Sequence, residues 1–238
     1  LKILKRPVSV ICVKTGTKYK NEDVNRLYKM VKRNCTLPFI FYCLTDNMTD
    51  LPNEVVGVKV DVSLDLESYW WKLCLFNLKW NEDVLYLDLD VIIQNNIDYI
   101  FDEKNIRGLK CLSINDAGIY YPYDGYEHNI LLIPEVKINS SVMFFNPNEN
   151  QYLFDLFIEN SDYNIVHYYG LDRFITKKCN QLSYFDFSKD YYYRAKGHES
   201  YDPKYVTKND LIHDPNKTFC IMNQCKPEHY RGLEKYFI

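Results

Sequence analysis

Apolar and polar positions alternate along this chain in short blocks whose lengths and periods predict an α/β fold. Val8 to Val13 is an apolar run of strand length, and Phe39 to Leu44 is a second, closed by Thr45-Asp46-Asn47. Val55 to Val60 reads as a third strand. Between the first two, Asn21 to Asn34 sets Val24, Leu27, Tyr28 and Val31 at helical spacing with charges on the other face, the pattern of a helix packed on a sheet. Leu66 to Phe76 predicts another helix. It leads into Val84-Leu85-Tyr86-Leu87-Asp88-Leu89-Asp90-Val91-Ile92-Ile93, which reads as a strand buried on both faces and ending at a site. Further on, Gln94 to Asp102 predicts a loop with a short helix, Ile106 to Ile114 a strand region, and Asn115 to Glu135 a long aromatic loop with Tyr120, Tyr121, Tyr123 and Tyr126. Ile138 to Asn146 is a small polar turn feeding a buried strand, Tyr152 to Glu159 a helix, and Tyr168 to Ile175 the opening of the next. The final third, from Tyr184, reads as loop-rich.

The chemistry concentrates at Asp88 and Asp90. An unpaired carboxylate in an apolar run is destabilising by several kcal/mol or more, so a pair there needs a compensating cation. Oxygen ligands with no thiolate or imidazole in the run favour a hard ion, Mn2+ or Mg2+, which characteristically bridges protein carboxylates to substrate phosphates. An Asp-x-Asp at a strand end therefore predicts a nucleoside diphosphate site, at the carboxyl end of a strand where open α/β sheets bind ligands. The alternative is a surface turn. Lys72, on the preceding helix, is placed to aim its ammonium at a diphosphate, or else is a solvated lysine beside Trp70 and Trp71. The Thr15-Gly16 loop after the first strand, with Tyr19, is where a base and ribose sit in such folds.

Composition narrows the partners. With 29 Lys and Arg against 32 Asp and Glu, the formal net charge of -3 argues against a nucleic-acid binder that works by broad electrostatics. Aromatic residues make up 16% of the chain, 22 of them Tyr, which suits stacking on sugars and bases as well as an AT-rich coding bias. Eight cysteines are scattered without a C-x-x-C pair, several inside apolar runs, the pattern of buried free thiols in a reducing compartment. A cytoplasmic location is expected, with no membrane span and no signal peptide in the sequence. The 238 residues are expected to form a single domain, and a start at Leu1 leaves open that it is cut from a longer protein.

Taken together, Thr15-Gly16, Val24-Asn25-Arg26-Leu27-Tyr28, Trp70-Trp71-Lys72-Leu73 and Val84 to Asp90 resemble the GT-A nucleotide-sugar glycosyltransferases. The likeness is to the small family 8-related domains of bacteria and large DNA viruses, which would place the protein in a host cytoplasm if viral. The resemblance covers nearly the whole chain. It implies a Rossmann-like nucleotide-diphospho-sugar transferase fold, with a mixed central sheet flanked by helices. By resemblance the donor is held by Thr15, Gly16, Tyr19, Asp88, Leu89, Asp90 and the small-residue turn Asn139-Ser140-Ser141. Lys72 and Lys226 would meet its phosphates, and Asp172 would orient a sugar. Two departures stand out. The family's Gly-Asp-Gln helix start reads Gly170-Leu171-Asp172 here, so that Asp172 is equally a helix N-terminal carboxylate. Met222 falls where the family has a metal-binding His, and a thioether is a poor ligand for Mn2+ or Mg2+. Asn223 or water would then complete the metal with Asp88 and Asp90, unless His213 or His229 approaches or metal binding is weak.

The implied reaction is transfer of a hexose from a UDP- or GDP-linked donor to a glycan or other hydroxyl acceptor. A phosphohydrolase with an Asp-x-Asp nucleophile is a rival class, and Val91 and Ile92 lack the Thr or Gly that chemistry calls for. A non-catalytic nucleotide-sugar- or glycan-binding domain is another, favoured by Met222.

Overall fold

The computed structural model describes residues 6–64, 66, 68–102, 108–116, 134–194, 213–222 and 232–237. Strand β1 (Val8–Lys14) pairs in parallel with β2 (Phe39–Thr45), and β2 with β3 (Val55–Lys59). On its other side β1 pairs in parallel with β4 (Val84–Leu87). Beyond β4 the sheet changes sense: β7 (Ile138–Phe145) runs antiparallel to both β4 and β6 (Leu109–Ser113), and β8 (Leu182–Tyr184) pairs in parallel with β6. The seven strands lie in the order β3-β2-β1-β4-β7-β6-β8. A small second sheet joins β5 (Ile92–Ile93), β10 (Phe219–Ile221) and β9 (Tyr191–Tyr193) in the order β5-β10-β9.

Side chains alternate across the large sheet and feed two cores. Val10, Cys12, Leu85, Leu87, Val142 and Phe144 face helix α1 (Asn21–Asn34), which buries Val24, Leu27, Met30 and Val31 against them. Ile11, Val84, Tyr86, Met143 and Phe145 face the other layer, built from a 3₁₀ helix (Ser68–Asn77), α2 (Pro147–Ile158), α3 (Ser161–Tyr168) and α4 (Leu171–Lys178). With both faces covered, β4 and β7 are buried at every position, which is why they read as continuous apolar runs.

Five expectations need correction. Asn139, Ser140 and Ser141, expected as a small polar turn feeding a strand, lie within β7 itself, beside the register shift between Cys111 and Leu112 of β6. The run from Val84 to Ile93 is two strands, because the chain turns at Asp88–Asp90, where the Val91 N–H closes onto the Asp88 carbonyl at 3.1 Å. Ile92 and Ile93 then join the second sheet. The stretch before it is a ten-residue 3₁₀ helix over Ser68–Asn77. A run of this length is uncommon, and here Trp70, Trp71, Leu73, Cys74, Leu75 and Phe76 are all buried, so tertiary packing and not one amphipathic stripe sets its winding. Helix α2 starts at Pro147, five residues earlier than the apolar spacing suggested, because the Asn146 side chain caps it by accepting from the Asn148 and Glu149 N–H groups. Tyr191–Tyr193, read as loop, is a fully buried strand. Most of the aromatic loop, residues 117–133 with its four tyrosines, lies outside the described residues. The seven described cysteines are all free thiols, and six of them are buried.

Gly108 precedes β6 with φ +90, and a Cβ there would sit 2.2 Å from the Gln181 carbonyl oxygen. Gly16 also has positive φ, +64, but nothing lies within 4 Å of its would-be Cβ. Gly108→Ala is therefore expected to destabilise the fold by about 2–4 kcal/mol and Gly16→Ala by about 1 kcal/mol. Equilibrium urea denaturation of the two variants checks the difference, and equal losses would refute the close approach at Gly108.

Candidate active site

The ladder that ends β4 sets the site. Asp88 still donates its N–H to the Ser141 carbonyl of β7 at 2.8 Å, and the chain turns only after it. Its side chain therefore follows Tyr86, two residues back, onto the same face. The Tyr86 hydroxyl donates to Asp88 Oδ1. From the 3₁₀ helix, Lys72 Nζ lies 2.8 Å from Asp88 Oδ1 and 2.9 Å from Oδ2, a two-oxygen ion pair, and 3.4 Å from Ser140 Oγ. The flanking Trp70 and Trp71 are buried, so the packing that winds this helix also aims its lysine.

Asp90 is held differently. It is buried, and the Tyr19 hydroxyl donates to its Oδ2 at 3.1 Å. The third carboxylate, Asp172, sits in the first turn of α4 and accepts the Ser140 N–H at 3.2 Å. Helix α4 is turned toward the sheet by Tyr169 in the left-handed region (φ 49) followed by Gly170 (φ 153). Tyr169 takes this conformation as the C-cap of α3, its N–H on the Ile165 carbonyl at 3.2 Å. The Asn139 side chain accepts the Ser141 N–H at 2.8 Å and fixes the small-residue start of β7 opposite.

These groups line one cavity of about 410 Å³. It gathers Thr15, Tyr19, Lys72, Asp88, Leu89, Asp90, Asn139, Ser140, Ser141 and Asp172, ten residues singled out from the sequence and contributed by five separate segments. Gly16 does not line it. Its N–H donates instead to Asp46 Oδ2 at 2.8 Å, which pins the loop that carries Thr15 and Tyr19. Asn223, Lys226 and His229 lie outside the described residues. His213 is not brought to the cavity: it packs between Tyr192 and Tyr236. Met222 is fully buried in the core on the α1 side, its sulfur 3.7 Å from the Cys220 thiol.

The charges are strongly coupled. Burial pushes the Lys72 ammonium toward deprotonation, but Asp88, Asp172 and Asp90 outweigh it and hold its pKa above the ordinary value. Asp90 is raised, first by burial and then by repulsion from Asp88, against the pull of Lys72 and Lys18. Asp172 is raised by burial, with Lys72 and the Ser140 contacts opposing. Tyr86 is pushed far up by burial and by Asp88, so it stays protonated and donates.

A divalent ion suits this donor set in kind. Asp88 and Asp90 open on one cavity, and among the described residues Asp90 makes no ion pair of the sort Asp88 makes with Lys72, so added positive charge there would offset its desolvation. Among the described residues, no group of three or more His, Cys, Asp or Glu side chains is placed to hold a metal.

The sequence reading missed several cavity residues. Tyr86 carried a usable signal, since it stands at a two-residue spacing from Asp88 on a strand. Lys18, Tyr69, Tyr169 and Arg173 also line the cavity, brought in by loop and helix-end geometry that no spacing encodes.

No family model and no curated relative matches the chain. Solved structures do. It superposes on the galactosyltransferase LgtC in complex with donor and acceptor sugar analogs, with a TM-score of 0.60 at 15% identity over 96% of this chain and 94% of that one. An active-site mutant of LgtC gives 0.62 at 14% identity with the same coverage. The apo bifunctional glycosyltransferase WbbM gives 0.53 at 12% identity over 94% of this chain and 47% of that one. At this identity the likeness is one of fold: the chain has the GT-A glycosyltransferase fold, with a mixed central sheet flanked by helices.

Lys72→Met leaves the Asp88 carboxylate without its ion-pair partner and is expected to cost about 1–3 kcal/mol of stability, less than a fully buried pair because both side chains keep some exposure. Lys72→Met combined with Asp88→Asn should recover most of that loss. A double-mutant cycle by chemical denaturation measures the coupling, and additive losses would show that the pair is not stabilising.

Proposed function

We propose that the chain is a glycosyltransferase that moves a hexose from a nucleoside diphosphate sugar, UDP- or GDP-linked, to a glycan or other hydroxyl-bearing acceptor. The observation that carries this reading is the convergence of Asp88, Asp90, Lys72 and Asp172 in one cavity at the carboxyl end of β4, within a GT-A fold. Asp88 and Asp90 are the residues that would hold Mn2+ or Mg2+, with Asn223 as a further ligand. Such an ion, when bound, supplies Lewis-acid neutralisation of the charge that builds on the departing diphosphate.

The chain's own groups divide the remaining work. Lys72 stays cationic at neutral pH under the field of three carboxylates and adds positive charge beside the leaving group. Thr15 and Tyr19 stand at the end of the cavity where β1 delivers its loop, the place for base and ribose, and Lys226 is assigned to the phosphates. The Asn139-Ser140-Ser141 stretch of β7 presents small polar groups to the sugar. Asp172, held by the Ser140 N–H, is a hydrogen-bonding partner for a sugar hydroxyl and orients it. Tyr69 and Tyr169, 46% and 55% exposed at the cavity wall, offer flat rings on the side from which an acceptor sugar would enter.

A non-catalytic nucleotide-sugar-binding domain is the second reading, favoured by the burial of Met222 away from the cavity. Calorimetric titration with UDP, GDP and their hexose conjugates, with and without Mn2+, followed by an assay for donor turnover, separates the two. Metal-dependent binding of one conjugate together with turnover is expected. Binding without turnover would favour the second reading, and no binding at all would sink both. In the same titration Asp90→Ala is expected to abolish metal-dependent donor binding, and normal binding by that variant would overturn the metal assignment.

A further inference from the structure

Leu89 stands between the two carboxylates, and its carbonyl belongs to the peptide that leads into Asp90. Its side chain is buried in the core on the α1 side. Its carbonyl accepts from Arg26 Nη2 at 3.3 Å, across from the second turn of the sheet-packing helix. Arg26 does not itself line the cavity. Its guanidinium is fixed on two further sides: Nη2 lies 2.9 Å from Asp23 Oδ1, and its central carbon lies 5.3 Å from the centre of the Phe237 ring. Asp23 in turn accepts the Lys20 N–H at 2.8 Å through its other oxygen, closing the first turn of α1. The residue before Lys20 is Tyr19, whose hydroxyl reaches Asp90. The start of α1 therefore grips the acidic turn twice, at the Leu89 carbonyl and at the Asp90 carboxylate.

We propose that Arg26 is a positioning residue for the acidic turn: it holds the peptide between Leu89 and Asp90 so that Asp90 opens on the cavity beside the ladder-held Asp88, and Asp23 and Phe237 hold Arg26. The geometric part stands on these contacts alone. Its consequence for donor binding rests on the glycosyltransferase reading. Buried backbone carbonyls need partners, and the hydrogen bonds within the turn use the Asp88 carbonyl and the Val91 N–H. A guanidinium is suited to the Leu89 carbonyl because its planar donors can serve a carbonyl and a carboxylate at once while its face packs on a ring. A lysine could supply charge and one donor but not that fork.

Arg26→Met and Arg26→Lys test this in the full chain. Two measurements are made: amide hydrogen exchange by mass spectrometry over the peptide containing Val91, and calorimetric titration of Mn2+ and then of the UDP-hexose or GDP-hexose that the wild type binds. Arg26→Met is expected to speed exchange at Val91 while β1 and β2 stay as protected as in the wild type. Its Mn2+ and donor affinity should fall about tenfold, the scale of one charge-assisted hydrogen bond, and Arg26→Lys should recover part of both. Wild-type exchange at Val91 in Arg26→Met would overturn the proposal, as would faster exchange spread evenly over β1, β2 and the turn, which marks a merely structural residue. Local loosening of the turn with unchanged Mn2+ and donor affinity would overturn the functional part. If the wild type binds no donor, the glycosyltransferase reading fails, and exchange at Val91 still decides whether Arg26 sets the turn.

Discussion

A carboxylate at the end of a buried strand is the constraint on which this structure turns. Asp88 remains in register with β7 through its own N–H, so it cannot swing out to water without breaking the ladder. Its charge has to be met in place. Lys72 meets it with both carboxylate oxygens engaged, and Tyr86 adds a hydroxyl from the same strand face. A pair of this kind costs desolvation on both sides and is retained only where geometry and further hydrogen bonds compensate. Ser140, Tyr86 and the field of Asp172 do so here.

The rest of the second layer can be understood as the support for that lysine. The Ser68–Asn77 segment is wound as a 3₁₀ helix with Trp70 stacked near Phe157 and Phe174, ring centres 4.8 and 6.3 Å away, and with Phe76 at 5.0 Å from Phe145. Aromatic contacts of this type are directional as well as apolar. They fix the rotation of the segment, and with it the direction in which Lys72 leaves the backbone. A regular α-helix over the same residues would distribute these rings differently and would carry Lys72 to another azimuth. The local irregularity and the ion pair are thus one design, linking core packing to cavity electrostatics.

The cavity gathers three carboxylates, and among the described residues Asp88 is the one with a contact ion pair within it. Burial raises Asp90 and Asp172, while Lys72 opposes the rise at both and Lys18 opposes it at Asp90. The cavity lies at the carboxyl end of β4, where open α/β sheets bind ligands. Conformational strain is spent at the opposite wall, where Tyr169 adopts a left-handed backbone to turn Asp172 inward.

Much of this was legible in the sequence, for physical reasons that differ by element. Strands β1, β2 and the apolar half of β7 announce themselves because a sheet covered on both faces must be apolar at successive positions, the edge strand β3 by its run of Val residues, and α1 because it is covered on one face only. Asp88 and Asp90 stand out because charge interrupts such a run, and Lys72, Asn139, Ser140 and Ser141 were placed near them by resemblance. Other features depended on contacts between distant segments. The break of Val84–Ile93 into two strands follows from where the second sheet captures Ile92, and the 3₁₀ winding of Ser68–Asn77 from rings that arrive out of α2, α4 and β7. The contact of Arg26 with the Leu89 carbonyl joins residues 63 apart in the chain. By itself, then, the sequence determined which polar residues interrupt apolar runs and which faces are buried, since both are local consequences of polarity and period. Only the tertiary structure decided which charges meet, because that depends on distances between segments that no local pattern contains.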